Sequence, residues 1–164
     1  MSRRASLALG AAILAAVATA CNAGAGEQPR PDDLKTLTAC LGTNKDTTAR
    51  RRCVDLVAAP CLARPDGQST LGMETCYGRE RLAWDQILNR VYGTAQAAFD
   101  AAGKAYLRDG QTLWIRYRDQ SCQWPAKVYA GGSIVGPLSE ACLRDETATR
   151  TITLMEIEES LKQH

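Results

Sequence analysis

Six cysteines, at positions 40, 53, 61, 76, 122 and 142, constrain this chain most, because of what stands at its start. Arg3 and Arg4 form a basic region, residues 5–17 a short apolar run, and Ala18-Thr19-Ala20 an A-x-A cleavage signature. That run is too short and wrongly flanked for a transmembrane helix. Residues 1–20 therefore read as a signal peptide and the chain as exported, to the periplasm or cell envelope. In an oxidising compartment an even set of cysteines reads as disulfides. Sequential pairing, Cys40–Cys53, Cys61–Cys76 and Cys122–Cys142, fits best, because each pair then closes the turn between adjacent helical segments.

The seventh cysteine, Cys21, directly follows the cleavage signature. Ala18-Thr19-Ala20-Cys21 resembles a lipobox without its usual Leu, so two readings stand. Cys21 is an acylated anchor, or cleavage leaves it as a free or intermolecular thiol. Residues 21–31 are small, polar and Pro-containing, which suits a flexible tether. The remainder, 32–164, reads as one helical domain, with short helices over 32–63 and a main core over 64–164.

Loss of Arg3 and Arg4 with the signal lowers the 20 basic residues by two, leaving them balanced against 18 acidic ones. A mature net charge of zero argues against nucleic acid as a partner. It also gives no broad attraction to a membrane, leaving Cys21 as the only anchor.

No segment alternates with period two for long enough to make a strand, so the class is all-α. Asp32 or Asp33 can cap a first helix carrying Leu34, Leu37 and Leu41, with Gly42 as its stop. A second helix starts near Asp46, includes Cys53, Leu56 and Val57, and ends before Pro60. The run Arg50-Arg51-Arg52 reads as a solvated surface, since three adjacent charges point three ways around a helix. After a turn at Pro65-Asp66-Gly67, Ser69 or Thr70 caps a long helix. Trp84, Ile87, Leu88, Val91, Tyr92, Ala95 and Phe99 give it a helical period, with Gly103 as its stop.

A second long helix then turns back, which predicts an antiparallel hairpin. On it Leu107, Gln111, Trp114, Arg118 and Cys122 recur at steps of four, three, four and four. Two polar residues on an otherwise apolar stripe predict a polar network carried into the core. This stripe reads as the feature the other segments cover. Trp124-Pro125 predicts a break just past Cys122. Pro137 suits the first position of a last helix carrying Leu138, Ala141, Cys142, Ala148, Ile152 and Met155, with a fraying acidic tail.

Catalytic chemistry is scarce. The one histidine, His164, is the last residue, so no Ser-His or Cys-His unit can form in a core. No C-x-x-C spacing suggests zinc, no Gly-rich loop has phosphate-binding form, and no cofactor is called for. Asp85, Asp119 and Asp145 could supply paired carboxylates for glycan cleavage, but surface pairing or capping is the simpler role for each.

Four ordered blocks resemble the LprI-like lysozyme-inhibitor family of small exported bacterial proteins. Asp85, Leu88-Asn89 and Tyr92 are similar to its D-x-x-L-N-x-x-Y. Gln111, Trp114, Arg118-Asp119 and Cys122 are similar to Q-x-x-W-x-x-x-R-D-x-x-C. Gly131-Gly132-Ser133 and Cys142 resemble a G-G-[ST] loop and its following cysteine. Thr147, Arg150 and Leu154 resemble T-x-x-R-x-x-x-L. The resemblance spans residues 76–154, and Pro125 departs from the pattern where the helix usually continues. It implies a small helical domain outside the cytoplasm that binds a protein partner, lysozyme or another envelope protein, rather than catalysing a reaction. A structural or assembly module of the envelope is the alternative, and a peptidoglycan-cleaving enzyme a third reading.

If Cys122 and Cys142 are bonded, the loop between them is held at both ends and loses little entropy on binding. Lys127, Tyr129, Gly131, Gly132 and Ser133 make it the candidate partner-binding loop, supplying a cation, an aromatic anchor and a hydroxyl for a carboxylate-lined cleft. Arg118 is expected to pair with Asp85 rather than Asp119, which points elsewhere on the helix.

Overall fold

The structure, a computed structural model, describes residues 29–163. The signal segment, Cys21, the tether up to residue 28 and His164 lie outside the described residues. Among the described residues seven α-helices carry the fold: α1 (Pro31–Thr43), α2 (Thr47–Arg51), α3 (Ala58–Leu62), α4 (Thr70–Ala98), α5 (Ala101–Ser121), α6 (Trp124–Val128) and α7 (Val135–Leu161). A short 3-10 turn at Pro65–Gly67 precedes α4. There is no strand among the described residues.

The closest packing is between α4 and α7. They run parallel: Gly136 lies against Glu74, Glu140 pairs with Arg81, and Phe99 shares a groove with Ile157 and Leu161. Parallel neighbours need a return path, and α5 is that path. Its 21 residues span about 32 Å back along the bundle. It runs antiparallel to α7, since Gln111 meets Arg150 and Cys122 meets Cys142. The chain does turn back after α4, but α5 packs thinly on both long helices.

The core therefore centres on α4 rather than on the α5 stripe. Cys76, Ala83, Trp84, Ile87, Leu88, Val91 and Ala95 are buried on α4. All but Cys76, which is bonded to Cys61, form one cluster with Leu37 and Leu41 of α1, Cys53 and Val57, and Ala148 and Leu154 of α7. Small residues on α7 permit the close approach. The hydroxyls of buried Thr147 and Thr151 return to the carbonyls four residues back, at 2.6 and 2.8 Å, so neither is left unsatisfied.

The N-terminal segments differ from expectation in four ways. Neither Asp32 nor Asp33 caps α1, whose N-cap is Arg30 followed by Pro31. Asp33 is buried and pairs with Arg79 of α4 instead. Nor does Gly42 end α1, which runs one residue further before Asn44. Asp46 does cap α2 through Ala49 N–H, but α2 ends at Arg51. The chain then turns through Asp55, held at φ 74°, and re-enters helix at Ala58. Pro60 therefore stands in the first turn of α3, where its missing N–H costs nothing, and stops no helix.

The arginine run and the C-terminal tail also differ. Arg50 is buried, donates Nε to Asn44 O and forms an ion pair with Glu159 of α7. That contact holds the Glu159 carboxyl below its usual range and ties down the acidic tail, which stays helical to Leu161. Only Arg51 and Arg52 of the run are exposed.

Ser69 caps α4 through Gly72 N–H at 3.0 Å. The α4 stop comes earlier than Gly103. Phe99 leaves the helix, and Asp100 caps α5 through Gly103 N–H at 2.7 Å. The Phe99 ring lies against Gly103, where any Cβ would collide with it. Gly93 is different: nothing lies within 4 Å of a Cβ built there. Gly93→Ala should therefore raise stability by about 0.5–1 kcal/mol, seen as a higher urea midpoint with unchanged slope.

Sulfur bridges join Cys40 to Cys53, Cys61 to Cys76 and Cys122 to Cys142, with Cα separations of 5.8, 5.6 and 5.4 Å. The first fastens α1 to the turn after α2, the second α3 to α4, and the third the end of α5 to α7.

Candidate functional site

The segment between Cys122 and Cys142 is not an open loop. Pro125 sits in the first turn of α6, and Tyr129 N–H bonds back to Pro125 O at 2.8 Å. Gly132 N–H reaches Tyr129 O at 2.8 Å, and Val135 N–H reaches Gly132 O at 3.2 Å. Gly131 takes φ +76°, a left-handed turn that glycine adopts without strain. Pro125 has no N–H to bond to the Ser121 carbonyl and its ring would clash there, which explains the break at Cys122 and Gln123 and places Pro125 in the first turn of a new helix.

This platform carries the expected residues at its surface. Lys127, Tyr129, Gly131, Gly132 and Ser133 are all exposed. Trp124 and Val128 join them, unforeseen. The Trp124 and Tyr129 rings stand 6.2 Å apart, tilted by 59°.

Of the remaining motif residues, Leu88, Gln111, Thr147 and Leu154 are buried, while Asn89 and Asp119 are exposed. Leu88 is buried in the core. Asn89, exposed, donates to Asp85 at 3.1 Å, and Tyr92 accepts from Gln96 at 3.0 Å. Buried Gln111 accepts from Arg150 Nε at 2.9 Å, so the polar network expected on α5 joins it to α7. Trp114 is only partly buried, with the Arg118 guanidinium 5.0 Å from its ring centre and that of Arg150 6.0 Å away. Thr147 is buried, its hydroxyl spent on Leu143 O.

The expected Arg118–Asp85 pair is not formed. Arg118 instead donates Nε to Asp119 Oδ1 at 2.9 Å. Its side chain turns along its own helix over Trp114, and Asp85 is occupied by Asn89. Of the three carboxylates weighed for glycan cleavage, Asp119 and Asp145 each sit on the arginine before them, and Asp85 on Asn89. Among the described residues no group of three or more His, Cys, Asp or Glu could hold a metal.

Buried charge was the larger surprise. Glu80 is 0 % exposed and accepts from Asp55, Val57 and Ala58 N–H and from Trp84 Nε1–H. It caps α3 from α4. Arg144, also buried, pairs with Asp55 and Asp145 and lies over the Tyr77 ring. Burial opposes its charge, but the carboxylates of Asp145, Asp55 and Glu80 outweigh this and raise its pKa above the ordinary value.

These features define a small all-α protein stapled by disulfides, with a buried ionic centre and an exposed aromatic platform at one bridge. Residues 61–154 match the model of the family described as Lysozyme inhibitor LprI, and the chain belongs to that family. A curated relative, "Uncharacterized protein R02472" of Rhizobium meliloti (strain 1021), is 32% identical over 105 residues, covering 56% of this chain and 76% of that protein. No solved structure matches.

Proposed function

We propose that this chain is an exported envelope protein that binds a protein partner, lysozyme first among them, and obstructs it rather than catalysing a reaction. The family supports an inhibitor-like role. Three disulfides suit an oxidising compartment, and no helix among the described residues is long and apolar enough to cross a membrane. Anchoring through an acylated Cys21 would fix the domain at a membrane surface by its N-terminal tether.

The observation that carries the proposal is the platform between Cys122 and Cys142. Trp124, Val128 and Tyr129 offer exposed apolar and aromatic area on backbone already ordered by hydrogen bonds and a bridge. Aromatic anchors on preordered backbone are what tight interfaces use. Lys127 adds a cation suited to a cleft lined with carboxylates. Because the mature chain is neutral overall, attraction must come from this local patch rather than from long-range steering.

A second reading, a structural module of the envelope, has its own support. Leu88, Gln111, Thr147 and Arg150 hold the helical seam, so shared residues can preserve fold without preserving a surface. Inhibition of lysozymes from several sources separates the two. Wild type should inhibit at least one, and Lys127→Glu/Tyr129→Ala should weaken inhibition by roughly tenfold or more at unchanged melting temperature. Equal inhibition by both proteins would place the interface elsewhere. No inhibition of any lysozyme by wild type would favour the structural module.

A further inference from the structure

One arginine in the helical seam lacks the partner its neighbours have. Arg50, Arg79, Arg81 and Arg144 each reach a carboxylate on another element. Arg150, partly buried between α5 and α7, donates Nε to Gln111 but forms no ion pair among the described residues. The Trp114 ring centre lies 6.0 Å from its guanidinium. Removing a guanidinium from water without a counter-charge is costly, and burial lowers its pKa. Such a group is poised to accept a carboxylate.

The approach to it is open. A Cβ at Gly110 would meet only Arg150 Nη2, at 4.0 Å. Gly110 lies on one stripe of α5 with Tyr106, Leu113 and Tyr117, at steps of four, three and four. These three side chains are 76, 66 and 58 % exposed. The stripe thus places a bare glycine, with a cation beneath it, between large apolar side chains. The charge of the helix has the same sign. Arg108 and Arg118 are matched by Asp109 and Asp119, while Lys104 and Arg116 have no ion-pair partner among the described residues.

We propose that the α5 stripe is a docking surface for a protein partner that lays an acidic side chain, flanked by apolar residues, across Gly110 onto Arg150. The proposal rests on the reading of this chain as a protein-binding one, but it concerns a different surface from the Lys127–Ser133 platform. The apolar neighbours of the acidic residue would cover Tyr106 and Leu113. Its carboxylate would take the Nη2 donor that no residue among the described ones uses.

The test needs no lysozyme, so failure of the inhibitor reading leaves its result interpretable. The isotope-labelled mature protein is titrated with the capped tripeptide N-acetyl-Leu-Glu-Leu-amide and with its Gln counterpart. The Arg150 Nε–H and Trp114 indole N–H resonances are followed. The Glu peptide should shift both saturably, and the Gln peptide should bind about tenfold more weakly. Arg150→Gln should abolish the difference between peptides. Gly110→Leu, which removes a helix glycine and covers the guanidinium without deleting it, should lose binding while keeping or raising the melting temperature. Equal binding of the two peptides, undiminished binding by Gly110→Leu, or no shift in wild type would overturn the proposal. So would concentration-dependent self-association through the same resonances without peptide, which would assign the stripe to a second copy of the chain.

Discussion

Glu80→Gln is expected to destabilise the oxidised protein by about 3–5 kcal/mol, the loss seen when one member of a buried ionic network is removed. One carboxylate here receives three backbone N–H groups and an indole N–H, at 2.7 to 3.1 Å. A glutamine keeps the volume but turns an NH₂ group toward donors, leaving buried N–H groups unsatisfied. It also removes a negative charge that favours the charged form of Arg144. The segment held this way is the strained part of the chain, since Asp55 sits at φ 74° with Arg144 against its side chain. Urea denaturation without reductant measures the effect. A loss under about 1 kcal/mol would show that water or a neighbour replaces the carboxylate readily.

The second large effect separates two tryptophans. Trp84→Ala should cost about 3–5 kcal/mol, because its ring is 0 % exposed at the centre of the core. Trp114→Ala should cost only about 1–2 kcal/mol, because the ring is partly exposed on a thinly packed helix. Arg118→Ala belongs with the mild class, since its ion pair is with the adjacent, exposed Asp119 on the same helix and joins no other element. Melting both tryptophan variants side by side tests the ranking. The reverse order would restore α5 as the organising element.

Local chemistry made much of this fold legible. Ser69 and Asp46 announced helix starts because capping depends on near neighbours in sequence. Sequential bridges followed from short helices separated by turns. What period alone could not reveal was which helices pack together. The stripe on α5 is a real face, with Leu107, Gln111 and Cys122 buried, but the tight partner of α4 is α7, far away in sequence. Charged residues misled for the same reason. Arg50 reads as solvated beside Arg51 and Arg52 until Glu159 arrives from the far end of the chain. Glu80 offered a usable clue, standing on the buried stripe of Cys76, Ala83, Trp84 and Ile87. A charge at such a position demands partners, yet its partners include backbone N–H groups of a turn that no propensity marks.

The platform was legible as a bridged loop but not as a turn of helix that presents Trp124 and Val128. Lys127 and Tyr129 followed from position between two cysteines. Trp124 and Val128 required α6 to form, which Pro125 permits by starting a new turn of helix. The most direct measurement is calorimetric titration of the mature protein into a panel of lysozymes, with Trp124→Ala/Tyr129→Ala as the matched variant. Inhibition through the platform predicts saturable one-to-one binding to at least one lysozyme, weakened roughly tenfold or more in a variant that melts like wild type. Absence of heat with every lysozyme, or equal affinity for the variant, would contradict it.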